Sequence, residues 1–285
     1  MNFTTGADLL ALCQTHHCTI ADAMLAREKQ RFNSSEAYIY AQLAKAYGIM
    51  TGSAKKAIEQ PERAMGGLIG GEAAQLDAHR RTHQPLSGIL AHKAITYAMG
   101  VLEVNGCMGV IVAAPTAGSS GVWPGVALAM QEELGYSEQD MLRATLTAGA
   151  IGYLITRNAS VSGAVAGCQA EVGSASAMAA AAAVELQGGT PEMALHAAGI
   201  ALSNLLGLVC DPIGGLVEEP CQKRNAIGAS NALTSADIAL AGVPCVLPFD
   251  EMVQVMYTIG TNLPESLRET ALGGMAVAPS ARQRP

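Results

Sequence analysis

Residues 172–186, Val-Gly-Ser-Ala-Ser-Ala-Met-Ala-Ala-Ala-Ala-Ala-Val-Glu-Leu, restrict the fold more than any other segment of this chain. Alanine is the best helix former and the run is poor in β-branched residues, so it reads as a helix. Its small side chains leave no polar face to turn toward water, which puts the helix at the centre of the molecule. Other helices must then lie close against it, because residues this small fill little space. Gly188 and Gly189 end it. A fold built around such a helix is mainly α: a compact helical domain with buried Ala/Gly-rich central helices and few or no strands.

The rest of the chain agrees, since few runs alternate with a period of two. Helix starts are expected near Asp8, after Thr19 (Thr-Ile-Ala-Asp22, a capping box), near Ser35 and near Ser87. Others are expected after Ser137 (Ser-Glu-Gln-Asp140) and after Thr190, with Pro191 at the first helical position. A further helix is predicted over 225–241. The whole of 1–285 reads as one domain. A modest internal boundary is expected near 60–90, where Gly66, Gly67, Gly70 and Gly71 precede the charged stretch 77–83, and a mobile tail from about 274.

With 50% hydrophobic residues in 285, the chain can bury a core without disulfides or a structural metal, so any metal must answer to chemistry. A net charge of −7 and the lack of a Lys/Arg run argue against nucleic-acid binding. Mean hydropathy of +0.25 raises the question of a membrane. The longest uncharged run, 104–131, is broken by Pro115 and Pro124, and 193–210 carries His196, Ser203 and Asn204, so both read as buried helices rather than spans. The first basic residue is Arg27 and no secretory pattern precedes it, which points to the cytoplasm. There, seven cysteines are expected to be core residues, thiols or metal ligands.

Three of them sit among glycines and polar groups: Ala-Gly-Cys168-Gln, Val-Cys210-Asp-Pro-Ile-Gly-Gly and Glu-Glu-Pro-Cys221-Gln-Lys-Arg-Asn. They read as three thiolate ligands of one metal centre. A [4Fe–4S] cluster usually takes four, so three would leave one iron open, as Lewis-acid catalysis requires. Spacing alone fits neither a C-x-x-C pair nor a zinc finger and favours ordinary core cysteines. Local context favours ligands: Cys168 is expected to enter a helix beside Gly167, Cys210 to sit where a helix ends at Asp211-Pro212, and Cys221 to follow Pro220. Cys13, Cys18, Cys107 and Cys245 are assigned to the core.

A second feature is the loop Thr116-Ala117-Gly118-Ser119-Ser120, whose backbone N–H groups and hydroxyls could cradle a carboxylate or phosphate, or merely form a turn before a helix. It matches neither a P-loop nor a dinucleotide fingerprint. A third is Gly66-Gly-Leu-Ile-Gly-Gly-Glu72, which says only that backbone approaches something closely. His92, with His79 and His83, could serve as a base. Asn105, Glu171, Asp211, Arg224 and Asn225 border these motifs and could support them, although a cap or salt bridge would explain each equally well. No lysine stands in a context that marks a Schiff base, so pyridoxal phosphate is not expected.

Taken together, 113–121, 167–173, 206–217 and 220–226, with Gly66–Glu72 and Glu103-Val-Asn-Gly-Cys-Met-Gly109, closely resemble the α chain of bacterial iron–sulfur L-serine dehydratases over nearly the whole chain. The resemblance implies a mainly helical catalytic domain holding an oxygen-sensitive [4Fe–4S] cluster through Cys168, Cys210 and Cys221. It implies deamination of L-serine to pyruvate and ammonia, with Thr116 to Ser120 binding the substrate carboxylate. It also implies a separate β subunit that contributes to the active site, including a catalytic histidine, and an oligomer. Some family members end in a cysteine that caps the open iron. This chain ends Gln-Arg-Pro285, so that protection is expected to be absent. Two competing expectations are a related lyase acting on threonine or cysteine, and a non-catalytic helical structural or regulatory subunit.

Overall fold

The computed structural model describes residues 2–283. Twelve α-helices carry the fold: α1 (Gly6–His16), α2 (Ile20–Phe32), α3 (Glu36–Glu59), α4 (Glu72–Thr82), α5 (Gly88–Gly106) and α6 (Val122–Leu134) in the first half. They are followed by α7 (Glu138–Asn158), the one-turn α8 (Gly163–Ala166), α9 (Ser174–Leu186), α10 (Pro191–Ser203), α11 (Cys221–Leu240) and α12 (Phe249–Thr261). Among the described residues there is no strand; the sole β-bridge pairs Cys210 with Arg268. No helix among them is long and apolar enough to cross a membrane.

As its composition requires, α9 is the central helix. Every residue from Ser174 to Val184 is buried, and α6, α7, α10 and α11 pack around it. Ser176 Oγ donates to the Gly228 carbonyl, and Asn231 of α11 donates to Ser176 Oγ and to the Ala201 carbonyl of α10, whereas the buried Ser174 Oγ has no partner among the described residues. A second layer forms where α5 packs on α6 and α11, with α3 and α4 outside it. The stretch 60–90 holds α4, which rests on α5.

The expected helix starts at Thr19, Ser35, Ser137 and Thr190 are present, and each of these side chains accepts from a first-turn N–H. Thr19 and Ser137 form full capping boxes with Asp22 and Asp140. Four helices had no expected start: α4, α6, α8 and α12 begin after Gly71, Gly121, Ser162 and Pro248, none of which makes a side-chain cap bond. Two boundaries also move. α9 starts at Ser174, behind a π-helical turn at Gln169–Gly173, and α11 starts four residues ahead of its expected position.

Candidate metal centre and substrate loop

The three cysteines arrive from three separate segments and are all buried, at 2%, 2% and 6% exposure for Cys168, Cys210 and Cys221. Cys168 stands between α8 and the π turn, a widened helical form often found at functional sites. Gly167 precedes it at φ +74, and a Cβ there would lie 2.8 Å from the Leu208 carbonyl oxygen, so only glycine suits this corner. Cys210 is not at a helix end as expected. α10 stops at Ser203, and Cys210 lies in an extended segment that pairs with the C-terminal part of the chain. Its N–H donates to the Leu267 carbonyl at 2.8 Å, and its own carbonyl accepts from the Glu269 N–H at 2.7 Å. Cys221 is the first residue of α11.

The sulfurs of Cys168 and Cys210 and a carboxylate oxygen of Glu171 lie within 4.8 Å of one another. Gly163 makes room for them: a Cβ on it would meet Glu171 Oε2 at 2.6 Å and Cys210 Sγ at 3.1 Å. Cys221 stands outside this tight group and is joined to it through α11. One turn beyond Cys221, Arg224 Nη1 lies 3.5 Å from Cys168 Sγ and donates to the Val209 carbonyl, while Nη2 donates to Asp211 Oδ1 at 2.7 Å. The other oxygen of Asp211 accepts the Met275 N–H. The stretch from 274, expected to be mobile, therefore carries a 3₁₀ turn, Gly274–Val277, bonded to the site.

These contacts set the charges. The bond from the Cys210 thiol, with help from Arg224, holds Cys168 below the usual thiol range. The same bond, and burial, raise Cys210, while burial pushes up Cys221. Cys168 thus gives up its proton more readily than Cys210 or Cys221, and any of them that binds a metal does so as a thiolate. Three buried sulfur donors beside a guanidinium suit a soft, thiolate-binding group such as an iron–sulfur cluster. Burial lifts the Glu171 carboxyl from 4.5 to about 7. Arg224 did not stand out in sequence from other bordering groups. Its position three residues after Cys221, on the same helix face, is the signal that marks it.

The substrate loop meets this centre at Glu171, which accepts from Thr116 Oγ1 at 2.7 Å. After the cis Ala114–Pro115 bond, residues Ala117–Ser119 form a 3₁₀ turn leading into α6. Asn225 pins the turn: its Nδ2 donates to the Gly118 carbonyl and its Oδ1 accepts the Gly121 N–H. The hydroxyls expected to face an anion are used internally. Ser120 donates to the Ala117 carbonyl, and Ser119, fully buried, shares a bond with Thr116. What stays free is backbone: among the described residues the N–H groups of Ala117 and Gly118, at the start of the turn, find no protein acceptor.

His92 is not brought to the cysteines by any contact. It is buried in the α4–α5 packing, its Nε2–H donating to the Leu76 carbonyl. Gln169 went unnoticed in sequence; its amide joins the Gly207 N–H to the Met256 carbonyl and so ties the π turn to α12. Only its place directly after Cys168 could have drawn attention to it.

The family model described as Serine dehydratase alpha chain matches residues 15–276. The chain is 46% identical to the "Probable L-serine dehydratase, alpha chain" of Bacillus subtilis, covering 99% of this chain and 93% of that one. It is 44% identical to the "L-serine dehydratase, alpha chain" of Peptoniphilus asaccharolyticus, covering 95% and 93%. The "L-serine dehydratase" of Streptomyces coelicolor is 38% identical over 96% of this chain, but only 61% of that longer protein is covered. A domain match across the segments that carry all three cysteines, with two alpha chains matched almost end to end, makes this chain a member of the serine dehydratase alpha chain family.

Proposed function

We propose that the chain is the α subunit of an L-serine ammonia-lyase that converts L-serine to pyruvate and ammonia in the cytoplasm. The observation that carries this reading is the meeting of buried Cys168 and Cys210 with Glu171 next to the Thr116 loop, with Arg224 beside Cys168 and Cys221 buried one turn before Arg224 on α11. Cys168, Cys210 and Cys221 would hold a [4Fe–4S] cluster. With three thiolates instead of four, such a cluster supplies Lewis acidity for loss of the β-hydroxyl group.

The chain's own residues bind and orient. The free N–H groups of Ala117 and Gly118 donate to the substrate carboxylate, and Asn225 keeps that turn in place by holding Gly118 and Gly121. Glu171 fixes Thr116 at the near side of the loop. Asp211 and Arg224 hold each other, and through Val209 and Met275 they keep the Cys210 segment folded against α11. His92 has its Nε2–H committed, so the acceptor of the α-proton is expected from a β subunit. The lengths support that partner. The Bacillus subtilis and Peptoniphilus asaccharolyticus relatives, both named alpha chains, are matched over 93% of their length, whereas the Streptomyces coelicolor relative named "L-serine dehydratase" is covered over only 61% of its own.

The test is anaerobic reconstitution with iron and sulfide, with and without the candidate β subunit, on the parent chain and on C168A, C210A and C221A. Each single change is expected to remove bound iron and pyruvate release together. A variant that keeps both removes that cysteine from the ligand set, and if all three do, the chain is a structural subunit.

A further inference from the structure

Among the charged groups around the three cysteines, most are engaged; Arg268, bridged to Cys210, reaches the Val165 carbonyl through Nη1 but leaves its buried Nε without a partner. Arg224 and Asp211 satisfy one another, and the second oxygen of Asp211 takes the Met275 N–H. Glu171 is 9% exposed and holds the Thr116 hydroxyl. Glu269 differs from all of them. It is exposed, and its carboxylate makes no hydrogen bond or ion pair among the described residues. Its backbone is nevertheless locked to the site, with the N–H donating to the Cys210 carbonyl at 2.7 Å beside the Cys210–Arg268 bridge.

The local conformation is also unusual. Glu269 has φ +63 and Ala271 has φ +56, a left-handed conformation that residues with a Cβ seldom adopt and that glycine would adopt at lower cost. Strain of this kind persists where surrounding structure enforces it, often at ligand sites.

We propose that Glu269 is the residue that binds the ammonium group of the substrate. The inference rests on the serine dehydratase reading of this site. L-serine is a zwitterion; the Thr116 loop offers donors for its carboxylate, and its ammonium needs an anion on another wall. A carboxylate without a protein partner, at the rim of the cysteine cluster, provides a charge-assisted acceptor for it. Glu269 thereby selects α-amino acids over hydroxy acids of the same length.

The experiment uses the anaerobically reconstituted α chain with its β subunit and compares the parent with E269Q and E269A. The probes are L-serine as substrate and 3-hydroxypropanoate, which has the carboxylate and hydroxyl but no ammonium, as competitor. The KM for L-serine is expected to rise about tenfold to a hundredfold in both variants, the worth of a hydrogen bond to a charged group. Bound iron and the inhibition constant of 3-hydroxypropanoate are expected to stay at the parent value. An unchanged KM overturns the proposal, as does equal weakening of both compounds. Loss of iron from both variants also overturns it, because Glu269 would then be a positioning residue for Cys210. If the parent itself releases no pyruvate from L-serine, the serine reading fails first and this proposal falls with it.

Discussion

The glycine-rich loops at 66–71 and 116–120 both lead into helices, and they solve the same backbone problem in opposite ways. In the first, buried carboxylates take the N–H groups. Glu218 accepts from Gly66 and Leu68, Glu72 from Gly70, and Glu103 from Gly71 and Ala73. Gln222, next to Cys221, donates to both Glu72 and Glu103 and ties this loop to α11. In the second, Asn225 holds the turn from behind while, among the described residues, the N–H groups of Ala117 and Gly118 have no protein acceptor. The comparison teaches that glycines only make backbone donors available. Whether the donors bind protein or ligand depends on which acceptors the fold places opposite them.

The largest effect should come from breaking the first loop. Glu103 is 1% exposed, and E103A strands the N–H groups of Gly71 and Ala73 and the amide of Gln222. Buried donors left unsatisfied cost about 1–3 kcal/mol each, so urea unfolding of the metal-free chain should show a loss of at least about 3 kcal/mol. A loss below about 1 kcal/mol would mean that water or neighbouring groups take over from the carboxylate.

The wall of the second loop offers a test by pH. The folded-state pKa of Glu171 is raised by burial from 4.5 to about 7, so the native state binds this proton more tightly than the unfolded state. Its contribution is fully present below pH 4.5 and is lost as pH rises through 7. The size of the shift corresponds to about 3 kcal/mol. Unfolding of the metal-free parent at pH 5 and pH 8 should reveal this loss, and E171Q should lack that part of the slope. Identical slopes for parent and variant would rule out the raised carboxyl.

The smallest effect on stability, and the sharpest contrast with Glu103, is expected for G118A. The added Cβ would lie 3.1 Å from Glu171 Oε1, a contact that a slight shift relieves. Stability should change by less than about 1 kcal/mol, while the KM for L-serine should rise about fivefold as the loop donors move out of line. A large stability loss with unchanged KM would make the second loop a structural turn like the first.

Much of the helical frame was legible because its signals are local. A Thr or Ser followed three residues later by Asp marks a cap whatever surrounds it, as at Thr19 and Ser137. α4, α6 and α12 escaped for the same reason in reverse, since Gly71, Gly121 and Pro248 cap nothing and tertiary packing decides where those helices begin. In the site, the cysteines were visible through their glycine-rich surroundings. The roles of the hydroxyls were not, because Ser119 and Ser120 satisfy partners within their own turn.

The sequence by itself determined that one alanine-rich helix lies at the centre, that several helices start at capping residues, and that three cysteines stand in glycine-rich surroundings. These follow from composition and from interactions spanning a few residues. Only the tertiary structure decided that Cys210 pairs with 267–269, that Arg224 faces Cys168, and that Glu269 stands unpaired at the rim. Those contacts join residues far apart in the chain. No local propensity encodes them, because they form only once packing around α9 has brought the segments together.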